Sequence, residues 1–523
     1  MTNTSPNITS PNIVLIMADQ LAPQFTGTYG HPLVQTPHMD ALAARGTRFD
    51  AAYCNSPLCA PSRFSFMAGQ RITRIAAYDN ASEFPATIPT FAHYLRTMGY
   101  TTSLSGKMHF VGPDQLHGFE DRVTTDIYPS DYAWTPDWEN HEQRIDKWYH
   151  NMDSVREAGI AAATFQLDYD DEVAFFAKRK IFDYARDGRG LPDGTGPFCL
   201  VASFIHPHDP YVARQEWWNL YDPAEIDMPK NVFHRDAQDP FSRRLMDGIE
   251  SSTVEVTDDE IRNSRHAYYA NTSYFDSKVG ELVTALEQAH LLDNTIVIVT
   301  ADHGDMLGER SLWYKMNFFE HSARIPLVMA GPGIVQGTVP NACSLVDILP
   351  TMLDIAAIDG TETPVYGQPI DGHSLLPLAM GNDDEYDEAI GEYCAEMTAA
   401  PVYMIRRGKY KYIHCDTDAP LLFDLESDPD ELVNLVNAPA MADIATEFAD
   451  EVRTRWDSEQ IRQDVITSQH QRRAVHAAMA TGQLTSWDYN PPRDASQEYV
   501  RNHMDWTVAA AKTRFPPLGQ GRG

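Results

Sequence analysis

Long hydrophobic runs are what this chain of 523 residues most clearly lacks. The apolar stretch nearest the N-terminus covers only residues 13–17, and no basic segment precedes it. A membrane-spanning helix needs about 20 apolar residues, and a signal peptide needs about 7–15 after a basic segment. We therefore expect no membrane partner and a cytoplasmic location.

Paired cysteines are also missing. The chain has no Cys-x-x-Cys pair and no dense cysteine cluster, and its six cysteines lie at positions 54, 59, 199, 343, 394 and 415. Secreted domains stabilised by disulfides have dense cysteine frameworks. A disulfide scaffold is therefore not expected, which agrees with a reducing compartment.

Positive charge is scarce, with 41 Lys and Arg against 74 Asp and Glu and a net charge of −33. Nucleic acids and anionic membranes attract basic surfaces, so neither is expected as a partner. Most of the acidic excess is expected to be solvated surface. It is also compatible with a cationic substrate.

Strands and helices alternate along most of the chain. Short runs typical of buried strands occupy residues 13–18, 101–105, 198–205 and 295–300, and a long helix is expected over about 261–290. This alternation predicts an α/β fold with a mostly parallel sheet flanked by helices. Such sheets bind ligands beyond the carboxyl ends of their strands, where Asp19 and Asp302 lie.

The pattern changes near residue 385. Short strands at 403–406, 410–413 and 421–425 are separated by turns, and a helix is expected near 441–460. They predict a small C-terminal antiparallel β subdomain over 386–485, after a large catalytic domain over 1–385. The remaining tail, 486–523, is rich in Pro, Trp and Tyr and is expected to dock onto a neighbouring subunit.

One short motif carries most of the functional information. Cys59-Ala60-Pro61-Ser62-Arg63 is followed by Met67-Ala68-Gly69, and two strands end in Asp19-Gln20 and Asp302-His303-Gly304. This combination resembles the type I sulfatases. Further stretches resemble the choline-sulfatase branch of that family: 78–84, 301–315, Trp487-Asp488-Tyr489 and Arg501-Asn502-His503. The resemblance implies the alkaline-phosphatase-like version of the fold, and a maturation enzyme that oxidises Cys59 to formylglycine (3-oxoalanine).

A sulfate ester places electron-rich oxygens where a nucleophile must approach, and a hard divalent cation neutralises them. Asp19, Gln20, Asp302 and His303 are the expected metal ligands. Many family members have a second Asp where this chain has Gln20, and Asn where it has His303. Ca²⁺ is the favoured ion, but the imidazole ligand leaves Mn²⁺ and Mg²⁺ open.

The resemblance also implies roles for the surrounding side chains. A hydroxyl of the hydrated aldehyde at residue 59 attacks sulfur, and deprotonation of its second hydroxyl expels sulfate. Arg63 pairs with the hydrate, and Lys107 and Lys315 bind sulfate oxygens. His109 is the expected base for the breakdown step. His208, together with Lys315, is expected to protonate the leaving alkoxide.

A quaternary ammonium has no N–H to donate, so aromatic faces and carboxylates must recognise it. The candidates for this choline end are Asn80, Trp134, His150, Glu392 and Glu396. The two glutamates share one face if residues 390–396 form a strand. By resemblance, Asp505 in the tail reaches the site of a neighbouring subunit. The enzyme is therefore expected to be a homo-oligomer, either a dimer or a tetramer.

The predicted activity is the hydrolysis of choline-O-sulfate to choline and sulfate. The alternatives are a phosphonate monoester or phosphodiester hydrolase and a general arylsulfatase, because the same fold and nucleophile serve these reactions. A non-catalytic sulfate or choline binder is a third class. The intact Cys59, Arg63, Lys107 and Lys315 weigh against such a binder.

Overall fold

The structure is a computed structural model that describes residues 10–145, 147, 150–191, 194–383, 385–483, 485–495, 499 and 505–517. Its strands are β1 Asn12–Asp19, β2 Thr47–Tyr53, β3 Thr101–Gly106, β4 Asp121–Arg122, β5 Gly159–Ile160, β6 Phe198–Pro207, β7 Val212–Ala213, β8 Thr295–Ala301, β9 Arg324–Ala330, β10 Gly337–Ser344, β11 Glu388–Tyr393, β12 Val402–Arg407, β13 Tyr410–Cys415 and β14 Leu421–Asp424.

The helices lie between these strands and after them. They are α1 Pro37–Ala43, α2 Cys59–Ala68, α3 Phe91–Thr97, α4 Asp153–Arg156, α5 Phe165–Arg186, α6 Gln215–Trp218, α7 Pro240–Gly248, α8 Asp258–Gln288, α9 Glu320–Ala323, α10 Ile348–Ala356, α11 Leu376–Ala379, α12 Ala442–Arg455, α13 Ser458–Met479 and α14 Trp506–Thr513. Within the described ranges, no helix combines the length and apolar character needed to cross a membrane.

The large sheet has the strand order β10-β2-β9-β8-β1-β6-β3-β4 in the part of the chain that the structure describes. Most neighbours are parallel, as expected, but β9 runs antiparallel to both β2 and β8. The central strand β1 is buried along its whole length, which explains its unbroken apolar run. Helices α5 and α8 pack against β6.

The register of the central strands brings two acidic residues together. β1 lies parallel to β8, with Ala18 opposite Ala301. Asp19 ends β1, and Asp302 follows the last residue of β8, so both carboxylates reach the same edge of the sheet. The structure therefore confirms that Asp19 and Asp302 lie together beyond the strand ends.

The long helix predicted near 261–290 is α8, and its start is fixed by local chemistry. Thr257 and Glu260 form a reciprocal capping box at its N-terminus, which satisfies two backbone donors. The helix expected near 441–460 is α12, but it ends at Arg455 and not near 460. The chain breaks at Trp456, and Asp457 caps a second helix, α13, by accepting from the Gln460 amide at 3.0 Å.

The small antiparallel sheet has the order β11-β12-β13-β14 among the described residues, which confirms the expected C-terminal β unit. Lys411 of β13 links this sheet to the large one. Its ammonium lies 2.6 Å from Glu320 and 2.7 Å from Glu431, and all three residues are buried. The boundaries placed at 385 and 485 stay predictions.

Candidate active site

Two buried carboxylates and a buried guanidinium form the base of the site. Arg63, on α2, donates from Nη2 to Asp19 at 3.1 Å and from Nε to Asp302 at 2.8 Å. Lys107 follows β3, and its ammonium contacts the same Asp19 carboxylate. Burial alone would raise the pKa of Asp19, but Lys107, His208 and Arg63 lower that pKa well below its usual range. Asp19 is therefore an anion at neutral pH.

Cys59 is the first residue of α2 and is fully buried beside these groups. Its Sγ lies 3.3 Å from His303 Nε2 and 3.9 Å from Asp19 Oδ1. Burial and the charge of Asp19 raise the pKa of the thiol to about 11. An unmodified Cys59 is therefore almost entirely protonated near neutral pH, and a protonated thiol is a poor nucleophile.

The donor set at the strand ends fits a divalent cation. Ligand atoms of Asp19, Cys59, Asp302 and His303 all lie within 4.8 Å of one another, and all four residues are buried. Burial is the main cause that lowers the pKa of His303, to about 4, so its imidazole is neutral and has a lone pair to offer. Two carboxylates with one imidazole leave the choice among Ca²⁺, Mn²⁺ and Mg²⁺ open.

The amide of Gln20 is held by partners on both sides. Its Oε1 accepts from Lys315 Nζ at 2.5 Å, while its Nε2 donates to Asp305 at 2.7 Å and to Asp209 at 3.3 Å. Burial raises the pKa of Asp209 to about 6 and that of Asp305 to about 7. Gln20 lies beside the metal-type cluster, but Lys315 already occupies its carbonyl oxygen. Its role as a ligand stays a prediction.

Lys315 and His208 form one contact pair next to Gln20. Lys315 Nζ lies 2.7 Å from His208 Nε2. Burial, followed by Lys315, lowers the pKa of His208 well below its usual range. Burial also opposes the charge on Lys315, but Cys59, Asp209 and Asp19 outweigh it and raise the pKa of Lys315. The shared proton therefore resides on Lys315, which donates to a neutral His208.

His109 has a different environment. Burial and the charge of Lys107 lower its pKa to about 3, and within the described ranges its two ring nitrogens have no hydrogen-bond partner. The backbone of His109 is left-handed, with φ of 57°. Its ring centroid lies 4.9 Å from that of Tyr128 and 5.8 Å from that of Trp134. His109 is thus a neutral imidazole with free acceptor capacity.

Three of the choline-end candidates lie near these groups. Trp134 packs on His109, as described above. His150 has its ring centroid 6.1 Å from that of His208 and its Nδ1 3.1 Å from Arg144 Nη2. Asn80 accepts from the Ala60 amide at 3.0 Å and so caps α2 directly beside Cys59. No motif marked Asn80 as a helix cap.

The two glutamate candidates do not share a strand face, so that prediction is wrong. β11 ends at Tyr393, and Glu396 lies in a turn before Met397, whose φ is 64°. The Glu392 carboxylate accepts from Thr73 N at 2.9 Å and from Trp456 Nε1 at 2.5 Å, and it lies 3.4 Å from Arg71. These contacts account for its burial, and a role toward choline stays a prediction for both glutamates.

Asp505 lies in the tail and is exposed in this single chain. It caps α14 by accepting from Thr507 N at 2.9 Å and Val508 N at 3.1 Å. Residues 501–504, which carry the Arg501-Asn502-His503 motif, lie outside the described residues. The predicted reach of Asp505 into a neighbouring site remains a prediction.

A second group of metal-type ligands occurs at the site, formed by His150, His208 and Asp209. Arg144 contacts His150, and Lys315 contacts His208. Two fixed cations beside three ligands disfavour a further metal ion there.

Sequence reasoning missed several residues of the site. Asp209 and Asp305 each lie within three residues of a predicted site residue. An acidic residue so close to a predicted site residue is a signal that the sequence offered. Tyr128, Asp126 and Ser203 carried no signal in the sequence. Ser203 accepts from Arg63 Nη1 at 2.7 Å only because β6 lies beside β1.

Comparison with known proteins decides the family. The family model described as "Sulfatase" matches residues 11–358. The chain belongs to the sulfatase family. Two further models of sulfatase C-terminal regions match this sulfatase, one of choline sulfatase enzyme C terminal over 463–515 and one of N-sulphoglucosamine sulphohydrolase over 308–457. The expected family is thereby confirmed.

Curated relatives cover almost the whole sulfatase chain. A choline-sulfatase of Rhizobium meliloti (strain 1021) is 47% identical over 510 residues, which is 97% of this chain and 98% of the relative. Arylsulfatase K of Rattus norvegicus is 30% identical over 528 residues, covering 95% of this chain and 85% of the relative. Both alignments span the large sheet and the small one.

Solved structures confirm the alkaline-phosphatase-like fold. A phosphonate monoester hydrolase of Agrobacterium radiobacter superimposes with a TM-score of 0.67 at 23% identity, covering 92% of this chain and all of the other. A putative sulfatase from Bacteroides thetaiotaomicron superimposes with a TM-score of 0.63 at 23% identity, covering 85% and 92%. At this identity the likeness concerns the fold alone.

Proposed function

We propose that this sulfatase hydrolyses choline-O-sulfate to choline and sulfate. The observation that carries the proposal is the 47% identity to a choline-sulfatase over 97% of the chain. The match of residues 463–515 to a C-terminal region of choline sulfatases supports it independently of the catalytic core. The strongly acidic composition of the chain also suits a cationic substrate.

The nucleophile in this proposal is Cys59 after oxidation to formylglycine by a maturation enzyme. The position of Cys59 supports it, because its Sγ lies 3.3 Å from His303 Nε2 and 3.9 Å from Asp19 Oδ1, two of the proposed metal ligands. When hydrated, the aldehyde supplies two hydroxyl groups, one for attack and one for release of sulfate. Asp19, Asp302 and His303 would hold one divalent ion, with Ca²⁺ favoured, which polarises the sulfate oxygens when bound.

The remaining side chains bind the sulfate group and carry out two proton transfers, one to the leaving alcohol and one during release of sulfate. Lys107 and Lys315 are buried cations that bind the anionic sulfate group. Lys315 Nζ and His208 Nε2 lie 2.7 Å apart, and the pair is suited to protonate the leaving alkoxide. His109, neutral and with free nitrogens among the described residues, is suited to accept the proton in the release step.

The choline end would be formed on the side of His109 and His208. Trp134 and His150 lie against these two imidazoles, so an alcohol attached to the sulfate group would meet an aromatic face first. A quaternary ammonium gains about 0.5–2 kcal/mol from each such contact. Asn80, Glu392, Glu396 and, from a neighbouring subunit, Asp505 complete the proposed set.

Substrate turnover tests the proposal directly. The purified protein, matured in a host that forms formylglycine, is given choline-O-sulfate, nitrophenyl sulfate and a phenyl phosphonate monoester under identical conditions. We expect the highest kcat/KM for choline-O-sulfate. A higher kcat/KM for the phosphonate monoester or the aryl sulfate would reject the proposed substrate while retaining the family.

Mass spectrometry of the Cys59 peptide tests the maturation step separately. An oxo group in place of the thiol is expected in the active protein, and a Cys59→Ala variant is expected to fold but to lack turnover. Full activity with an unmodified thiol would refute the nucleophile.

We further propose a cytoplasmic homo-oligomer, a dimer or a tetramer. All six cysteines are free and buried, which suits a reducing compartment. The exposed apolar residues of α14 suit a contact with a second copy. Neither nucleic acid nor a membrane is proposed as a partner, because both attract basic surfaces and this chain has a net charge of −33.

A further inference from the structure

The first part of the tail lies against its own chain. Residues 486–493, here called the strap, run along a loop that follows β4. The Trp487 ring lies 5.2 Å from the Tyr132 ring in an edge-on contact. Asp488 Oδ1 accepts from the Ser130 amide at 3.0 Å and from the Ser130 hydroxyl at 2.9 Å. The strap therefore contacts the loop through both a ring pair and two hydrogen bonds.

That loop carries two aromatic side chains of the site, Tyr128 and Trp134, here called the aromatic wall. They are buried, and their ring centroids are 5.4 Å apart. The Lys107 ammonium lies 4.2 Å from the centroid of the Tyr128 ring, and Trp134 packs on His109. Ser130, which the strap holds, lies between the two members of the wall in the sequence.

A second connection runs from the strap to the backbone of His109. The Arg122 guanidinium lies 5.6 Å from the centroid of the Tyr489 ring and also contacts the Asp126 carboxylate. Asp126 accepts from Met108 N at 3.1 Å and from His109 N at 2.9 Å. The backbone of His109 is left-handed, and such a conformation at a residue other than glycine persists only where its surroundings impose it.

We propose that the strap is a positioning element of the active site in its own subunit. Trp487 and Asp488 fix the aromatic wall that receives the alcohol part of the substrate, and Tyr489 supports the Arg122–Asp126 contacts that hold His109. This inference deepens the proposed function and rests on it. It differs from the docking expected for the whole tail, because the strap contacts its own chain and only the residues beyond it remain for a neighbour.

The role assigned to Asp488 predicts a specific kinetic effect. Asp488→Ala removes both hydrogen bonds to Ser130 and lets the wall shift away from its position. We expect KM for choline-O-sulfate to rise about tenfold, since that is the value of one well-placed cation–π contact, with kcat changed less than threefold. Asp488→Asn keeps an acceptor oxygen for both Ser130 donors and is expected to restore KM to within twofold of wild type.

Arg493 provides the matched control. It lies in the same strap but contacts Glu172 and the Phe176 ring on the outer surface. Arg493→Ala is expected to leave kcat and KM unchanged. If Asp488→Ala does not accumulate as folded protein, Ser130→Ala removes one of the two hydrogen bonds from the loop side and is expected to give a smaller rise in KM.

A readout without substrate separates this inference from the proposed function. The protein is labelled with 5-fluorotryptophan, and the fluorine resonance of Trp134 is assigned by its loss in Trp134→Phe. We expect Asp488→Ala to shift or broaden that resonance, and Arg493→Ala to leave it unchanged. If the resonance is unchanged in Asp488→Ala and KM stays within twofold of wild type, the proposed positioning role of the strap is refuted. If the wild-type protein does not turn over choline-O-sulfate, the proposed function is rejected. The Trp134 resonance alone then tests whether the strap positions the aromatic wall.

Discussion

A single guanidinium connects most of the residues at the base of the site. Arg63 is fully buried and donates to Asp19, Asp302, the Lys107 carbonyl and Ser203. Its planar fork can serve several acceptors in fixed directions at once. The negative charges of Asp19 and Asp302 raise its pKa against the effect of burial, so the side chain stays charged. Arg63 thus sets the spacing of the two carboxylates.

A lysine at this position cannot do the same. Arg63→Lys keeps one positive charge, but its ammonium reaches fewer acceptors, and the two carboxylates are expected to separate. Breaking a buried ion pair costs about 3–5 kcal/mol, so we expect kcat/KM to fall at least about 100-fold, together with a loss of bound metal. Steady-state kinetics and metal content by mass spectrometry measure the two effects.

The exposed Arg45 gives the control, because Arg45→Lys makes the same chemical change away from the site. It is expected to leave both quantities unchanged. If Arg63→Lys retained wild-type kinetics and metal content, the bridging role would be wrong.

Residues beside strand ends could be predicted, and residues brought in by loops could not. Asp19 and Asp302 follow apolar runs that can only be buried strands, and parallel strands place such ends together. Tyr128 reaches Lys107 through a loop with no periodic pattern. The shared face of Glu392 and Glu396 required an extended chain over residues 390–396, but β11 ends at Tyr393 and a turn follows it.

At the scale of elements, α1 depends on a residue from a distant helix. Thr36 precedes the helix but makes no side-chain cap. Asp276 of α8 accepts from His38 N at 3.0 Å and from Met39 N at 2.8 Å instead. Two free backbone donors at the start of α1 are thereby satisfied. Thr36-Pro37 is typical of a helix start, but the neighbouring sequence could not reveal this partner, which lies more than 230 residues further along.

Removing that cap should weaken α1 specifically. Asp276→Ala is expected to destabilise the helix by about 1–2 kcal/mol, the usual cost of a lost cap. Hydrogen exchange followed by mass spectrometry should show faster exchange in peptides that contain residues 37–43. The same change at the exposed Asp259 of α8 is the control and should not alter this exchange. Unchanged protection of α1 in Asp276→Ala would contradict the assignment.

At the scale of the whole molecule, a buried ion cluster joins the two sheets. Lys411 of the small sheet contacts Glu320 of α9, next to β9 of the large sheet. Burial opposes the charge of Glu320, but Lys411 and Arg324 outweigh it and lower its pKa to about 2 from an ordinary 4.5. Burial raises the pKa of the other carboxyl, Glu431. Acid therefore weakens the contribution of Glu320 to stability, whereas the raised pKa gives Glu431 the opposite sign.

The sign of the Glu320 effect follows from its lowered pKa. Ionised Glu320 stabilises the folded chain above pH 4.5, and this contribution is lost as the pH falls from 4.5 toward 2. Glu320→Gln should be less stable than wild type at pH 7, and the difference should shrink steadily below pH 4.5. Urea denaturation at pH 7, 4.5 and 3 measures it, with the exposed Glu362→Gln as control. If the difference in unfolding free energy between wild type and Glu320→Gln stayed constant with pH, the stabilising role of ionised Glu320 would be wrong.

The tail contains two parts with different surroundings, and truncation can separate them. The strap, 486–493, packs on its own chain, whereas α14 buries only Ala509 and leaves Trp506 73% and Val508 57% exposed. Large apolar side chains left exposed on one short helix make it a candidate contact for another chain. A chain ending at residue 495 keeps the strap and loses Asp505 and α14. A chain ending at residue 485 loses both parts.

The first truncation is expected to dissociate the proposed oligomer while the Trp134 fluorine resonance stays in place, because the proposed support of the aromatic wall comes from the strap. The second is expected to dissociate the oligomer and also to move that resonance. Size-exclusion chromatography with light scattering gives the mass of each form. An oligomer that survives the loss of residues 496–523 would show that α14 is not the contact between subunits. A resonance that moves in the first truncation would show that the wall depends on a neighbouring chain and not on residues 486–493 alone.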